Sequence, residues 1–457
     1  MPKNPMAQLI DLLTANVWAL ALLAILIFGM TVFIMRRRLA HIVEPAMIQI
    51  FVLSFGFAGL YFLYKPNDYS WRAVILGATL GVAPFVLFYR RSFTPDPDII
   101  EKRDRLAEST EFRIFLIVSC AAIIAEGAIT VVASGFTVVA KVAPIMLARE
   151  GGVINYFSQA ALGFVPGFLL LTYRTRLFYL VVTAIVMYFL EATVSASRAS
   201  FLWPAVVIGA AFFLRRLDRN TAEGWPDTTI INFRNCFAGI VGITAAGGLL
   251  GLAGYLLTNS PTHFLFTFLL RLFESLDSLF MAVYFSFVTP HAAPEYSVWL
   301  AYTQPIHKLF HLNVGQLYNN IGEYVGVHVY HLNIWENPDL RLLALPNSNL
   351  VLEFELSYGL ITALVLITLY GTGLVWLLNW SERRRYNSLG LFCLSQYLVM
   401  NALLYFSDGN LFVLGIYSAV LLLLFAKVGG FLIDGVRRKI GKSQRRTPER
   451  SSSSQVK

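Results

Sequence analysis

The residues best placed to do chemistry in this chain are ionisable groups set in apolar surroundings. In "EATVSASRASFLWP", Glu191 to Pro204, a permanently charged arginine follows a glutamate by seven residues, two helical turns on and on the same face. An ionisable pair inside a membrane is a functional-site hypothesis by default. Against it stands the plainer role of Arg198 as a snorkelling side chain at a turn. Six of the seven histidines fall between residues 258 and 348: His263, His291, His307, His311, His328 and His331. His328-x-x-His331 sets two imidazoles one helical turn apart, with Glu323 and Glu336 nearby, but no third ligand stands at a recognisable spacing. No metal is expected. There is no Gly-rich nucleotide loop, nucleophile-elbow serine or paired-cysteine motif, so no cofactor is expected either.

The elements that must hold these groups are membrane helices. The chain is 57% apolar and 14% charged, whereas a soluble domain carries about 25% charged residues. The first apolar run, Val17 to Met35, ends in Arg36-Arg37-Arg38 rather than a small-residue cleavage site, and reads as an anchor. Cys120, Cys236 and Cys393 fall inside apolar spans as packing residues. The net charge of +9 does not point to nucleic acid, because the positive charge alternates by segment. Clusters occur at Arg36–Arg38, Arg90–Arg105, Arg174/Arg176, Arg215–Arg234, Arg383–Arg385 and after Val436.

Basic connections stay in the cytoplasm. The alternation is met by eleven spans, near 16–35, 44–64, 71–89, 112–133, 154–173, 177–195, 199–214, 236–257, 349–378, 388–406 and 409–430. The expected fold is an all-α, polytopic membrane helical bundle with its N-terminus outside and its C-terminus inside. Residues 1–257 carry about eight spans, 258–348 form one large outer loop, 349–430 carry about three spans, and 431–457 form a basic, disordered cytoplasmic tail.

Within the loop, His263 to Phe287 is long enough to span. A span there would leave 289–348 inside with only Lys308 and Arg341 as basic residues. Arg271, Glu274 and Asp277 or Ser278 recur at helical spacing, so an amphipathic helix lying at the outer interface is expected. The rest of the loop is rich in Pro, Asn, Tyr, Trp and His. Such faces suit sugars, although any single Trp or Tyr is read first as part of an interfacial aromatic belt.

The hairpin "SASRAS" (Ser195 to Ser200), the large outer loop and "PNSNLVLEFELSYGLI" (Pro346 to Ile361) resemble the Wzy class of bacterial repeat-unit polymerases. These membrane glycosyltransferases build O-antigen and enterobacterial common antigen. The related O-antigen ligases carry a His-Asn, nine residues, then Gly. Asn349 and Gly359 keep that spacing, but Ser348 stands where the histidine would be, which favours polymerase over ligase.

The resemblance implies a bacterial inner-membrane enzyme with its active site facing the periplasm. Its substrates would be undecaprenyl-diphosphate-linked oligosaccharides, with a flippase and a chain-length regulator as partners besides membrane lipid. It also implies a departing diphosphate. Guanidinium groups suit that charge, and the outer arginines are Arg72, Arg149, Arg198, Arg271 and Arg341. Arg198 and Arg271 are the first choices, with Arg149 and Arg341 second. A general base for the acceptor hydroxyl has Glu191, Glu323, His331 and Glu353 as candidates, and Glu191 has orienting Arg198 as its other role. The rival classes are a ligase, a scaffold for polysaccharide assembly, and a transporter or lipid-linked oligosaccharide flippase built around Glu126.

Overall fold

A run as apolar as Val17–Met35 has no polar face to turn toward water, so it settles as a helix with apolar side chains all round. The computed structural model describes residues 15–41, 44–63, 68–90, 95–133, 153–194, 198–224, 276–286, 288, 291–300, 302–303, 321–328, 349–407 and 409–444. The helices are α1 (Val17–Met35), α2 (Pro45–Phe62), α3 (Tyr69–Phe88), α4 (Ile99–Glu108), α5 (Thr110–Ala133), α6 (Val153–Leu162), α7 (Val165–Thr172) and α8 (Leu177–Val194). They continue as α9 (Arg198–Glu223), α10 (Asp277–Phe285), α11 (Ile321–His328), α12 (Leu350–Tyr358), α13 (Leu360–Arg383), α14 (Leu389–Met400), α15 (Leu404–Ser407) and α16 (Gly409–Gln444). No strand occurs among the described residues.

Six of these are long and apolar enough to cross a membrane: α1, α2, α3, α5, α13 and the Phe412–Ile433 part of α16. Trp18, Leu22, Leu26, Met30 and Phe33 of α1 are exposed, a surface suited to lipid. Inside, α1 pairs with α2 and α3 with α13, while α5 packs on α6, α8 and α16.

Several expectations are corrected. The runs 154–173, 349–378 and 388–406 are each broken: at Gly163–Phe164, at Gly359 and at Asn401–Leu403. The expected span 236–257 lies outside the described residues. The chain past residue 431 is not disordered as expected but stays helical through Gln444. Its "VRRKI" is proline-free and rich in good helix formers. The described part of the expected interfacial helix, α10, does not lie on a surface: Leu279, Phe280, Met281, Ala282 and Val283 are all buried. It packs against α2 and α3, with the Phe280 ring set directly on Gly59. Leu279 to Val283 are apolar all round the helix, so that stretch is buried on every face.

One end of the bundle is tied by charge. Arg38 donates to the carbonyls of Val86 (2.7 Å) and Leu87 (2.8 Å) in the last turn of α3, where a helix leaves carbonyls without intrahelical donors. Arg90 is buried between Glu44 (2.7 Å) and Glu382 (2.8 Å from Nε), and the Tyr89 hydroxyl donates to Glu44. Arg385, fully buried, donates from Nε to Asp218 (3.1 Å), which also accepts from the Tyr386 hydroxyl (3.1 Å) and pairs with Arg103 (3.4 Å). These contacts join α2, α3, α4, α9 and α13. At the opposite end Ser286 Oγ donates to Asp68 (3.0 Å), Ser70 Oγ to the Val288 carbonyl (3.1 Å) and the Ala293 N–H to the Leu356 carbonyl (2.7 Å). That loop end gathers the described loop residues over the starts of α3 and α13.

Candidate functional site

The site is built around α12. Asn349 caps it: its Oδ1 accepts from the Val351 N–H (2.9 Å), and its Nδ2 donates to the Phe406 carbonyl (2.9 Å). Gly359 closes it, donating its N–H to the Glu355 carbonyl (2.8 Å). It does so at φ +75°, a conformation readily open only to glycine. The nine residues between Asn349 and Gly359 are therefore one helix with its start and stop fixed. That gives the Asn…Gly spacing a structural meaning of its own.

α12 enters the bundle. Val351 Cγ1 rests on Gly77, where a Cβ would lie only 2.5 Å away. Gly77 is about 12 Å along α3 from Tyr69. The opposite turn of α12 lies near Tyr69, which is in the field of Glu355. The helix thus rises from inside the bundle to the loop end, and α13 then runs back to the charged end.

Three carboxylates are carried into this interior: Glu353 (0% exposed), Glu355 (1%) and Glu323 (4%). Glu353 and the Tyr302 hydroxyl meet over Gly409, where a Cβ would fall 3.1 Å from Glu353 Oε2 and 2.7 Å from Tyr302 Oη. The Tyr296 hydroxyl, buried with no hydrogen-bond partner among the described residues, stands in the fields of both Glu353 and Glu323. Burial first and Glu353 second push the pKa of Tyr296 and of Tyr302 well above the usual phenol value, so both are neutral hydroxyls able to donate and accept. Tyr370 on α13 also lies within the field of Glu353. Glu355 faces away toward Tyr69, and both its oxygens are buried without a hydrogen-bond partner among the described residues. Nearby His328 lies against Tyr324 (4.2 Å between centroids, the planes tilted by 38°) with Nε2 3.8 Å from Glu295, and Trp299 is exposed. A carboxylate among tyrosine hydroxyls can bind a polyhydroxylated molecule and accept a proton from one of its hydroxyls.

Of the residues singled out in the sequence, Glu323 and Glu353 are brought together around Tyr296. Glu191 is not part of this group: on α8 it lies in the field of Glu126 of α5. Asn349 and Gly359 bound α12, and Arg198 opens α9. Arg149, Arg271, Arg341, His331 and Ser348 lie outside the described residues. Among the described residues no three His, Cys, Asp or Glu side chains are grouped to hold a metal ion.

The sequence reading missed Tyr296, Tyr302, Gly409 and Glu355. Only Glu355 carried a signal, as a second carboxylate in the apolar run "NLVLEFELSYG". Neither a family model, nor a curated protein, nor a solved structure matches this chain.

Proposed function

We propose that the chain is a membrane glycosyltransferase that joins polyprenyl-diphosphate-linked oligosaccharide repeat units, with Glu353 as the general base. The observation that carries the reading is Glu353 itself, a buried carboxylate beside the Tyr302 hydroxyl over Gly409, on a helix that enters the bundle from within. In this reading the charged end faces the cytoplasm, in keeping with the positive-inside rule. The loop end then faces the periplasm of a bacterial inner membrane, and the bundle has eleven spans.

The acceptor hydroxyl of one repeat unit gives its proton to the Glu353 carboxylate while its oxygen bonds to the anomeric carbon of the other glycan. The bond from that carbon to the diphosphate breaks, and its electron pair leaves with the polyprenyl diphosphate. Arg198 and Arg271, then Arg149 and Arg341, are the residues assigned to the departing charge, since donors aimed at developing charge supply a large share of catalysis. Tyr296 and Tyr302 hold sugar hydroxyls.

The test is polymerisation of a lipid-linked repeat unit by purified protein in liposomes. Glu353→Gln should slow it about a hundredfold or more while leaving membrane abundance unchanged. A Glu353→Gln protein that polymerises at the normal rate would remove the base from the mechanism. In cells, deletion should leave single-repeat product. Loss of all attached glycan would mean a ligase instead, and repeat units trapped in the cytoplasm a flippase.

A further inference from the structure

Glu126 and Glu191 take no part in the reaction proposed above. They sit on α5 and α8, which pack along each other so closely that a Cβ on Gly127 would fall 3.0 Å from the Met187 carbonyl oxygen. At this crossing the two carboxyl groups lie in each other's field. Both side chains are half-buried, and Oε2 of each is buried with no hydrogen-bond partner among the described residues.

A third group points the same way. Ser158 on α6 is 0% exposed. Its hydroxyl is directed at Glu126 and closes no hydrogen bond of good geometry among the described residues. From the other elements packed on α5 and α8, namely α4, α7, α9 and α16, no described charged group acts on either carboxyl. Where α16 meets α5 it brings Gly429 to Ile114 and Gly430 to Glu111, about 18 Å or more from Glu126 along the helix.

Two carboxylates in each other's field within apolar helices repel when both are ionised, and their buried oxygens call for a donor. One proton removes one of the two charges and gives the carboxyl that takes it a donor of its own. We infer that Glu126, Glu191 and Ser158 form a proton-binding site in which one of the two carboxyl groups is protonated at a time and the serine hydroxyl donates to Glu126. The site is separate from the Glu353 group and does not rest on the function proposed for it. Loss of the proton would set two negative charges across the α5–α8 crossing, so its occupancy bears on how those helices pack.

A hydrophobic carbodiimide tests this on the full-length protein in membranes. The reagent takes the proton of a protonated carboxyl onto nitrogen and bonds its central carbon to the carboxylate oxygen. The acyl group then migrates to nitrogen as a stable N-acylurea, so atoms balance with no leaving group. Peptide mass spectrometry should find one adduct per chain at pH 7, on Glu126 or Glu191. Glu126→Gln should cut labelling of Glu191 at pH 7 about tenfold, the effect of removing one neighbouring charge worth a pH unit. Glu191→Gln, read at Glu126, makes the same test if the first variant fails to accumulate. Glu353→Gln should leave the pair's labelling unchanged. The inference is overturned if both carboxyls are labelled in one chain or neither is. It is overturned equally if Glu191 labels alike with and without Glu126, or if sodium at constant pH protects the pair, which would make the occupant a metal cation.

Discussion

Gly409 is where the carboxylate and the hydroxyl of the candidate site meet the backbone most closely. A methyl group there would lie 2.7 Å from the Tyr302 hydroxyl and 3.1 Å from Glu353 Oε2, so both groups must move to admit it. Gly409→Ala should therefore lower kcat about tenfold or more, because a displacement near 1 Å is costly to a positioned base. Membrane abundance should remain near normal, since the clash falls on side-chain tips. Tyr302→Phe removes the hydroxyl without adding bulk. If that hydroxyl holds substrate, its loss should raise KM more than it lowers kcat. A Gly409→Ala enzyme of full activity would show that Glu353 and Tyr302 do not need this geometry. Glu353 was legible in the sequence because a carboxylate in an apolar run has to be explained. Tyr302 and Gly409 were not, because they meet only through the fold and neither has a local pattern to mark it.

Among the elements, the uninterrupted helices were legible and the broken ones were not. Val17–Met35, Pro45–Phe62, Tyr69–Phe88 and Thr110–Ala133 stand close to where apolarity alone puts them. Hydropathy runs unbroken through Gly359, so 349–378 reads as one span. The φ of +75° that divides it leaves no trace in composition. The same blindness applies to α10, whose burial depends on a glycine far away in α2 accepting Phe280. Gly359→Ala tests the corner. A Cβ in that extended, positive-φ region, open essentially to glycine alone, costs about 1–3 kcal/mol, so the variant should lose thermostability in detergent by a corresponding few degrees and lose activity as α12 shifts. Gly373, where a Cβ would meet nothing within 4 Å, supplies the control: Gly373→Ala on the same helix should do neither. Equal behaviour of the two variants would mean that the α12–α13 corner does not depend on its glycine.

For the whole molecule, the charge alternation read from the sequence has a counterpart in three dimensions. The helix ends that carry Arg90, Arg103 and Arg385 are tied together through Glu44, Asp218 and Glu382, Arg38 joins them through the Val86 and Leu87 carbonyls, and the described loop residues gather at the other end. Two of the basic clusters that set the expected topology thus prove to be partly interior, with Arg90 and Arg385 buried. Removing one partner of such a pair costs about 3–5 kcal/mol, so Arg385 and Arg90 have structural reasons to be there besides topology. This weakens them as witnesses to sidedness and makes a direct measurement decisive. In a background with Cys120, Cys236 and Cys393 replaced by alanine, a cysteine at Glu295, beside His328 at the loop end, should react with an impermeant maleimide added to intact cells. A cysteine at Arg105, whose ion pair with Glu101 is exposed at the charged end, should react only after the membrane is opened. The reverse pattern would turn the Glu353 site toward the cytoplasm, where nucleotide-activated sugars are available. The lipid-diphosphate reaction would then lose its rationale even if Glu353 proved essential.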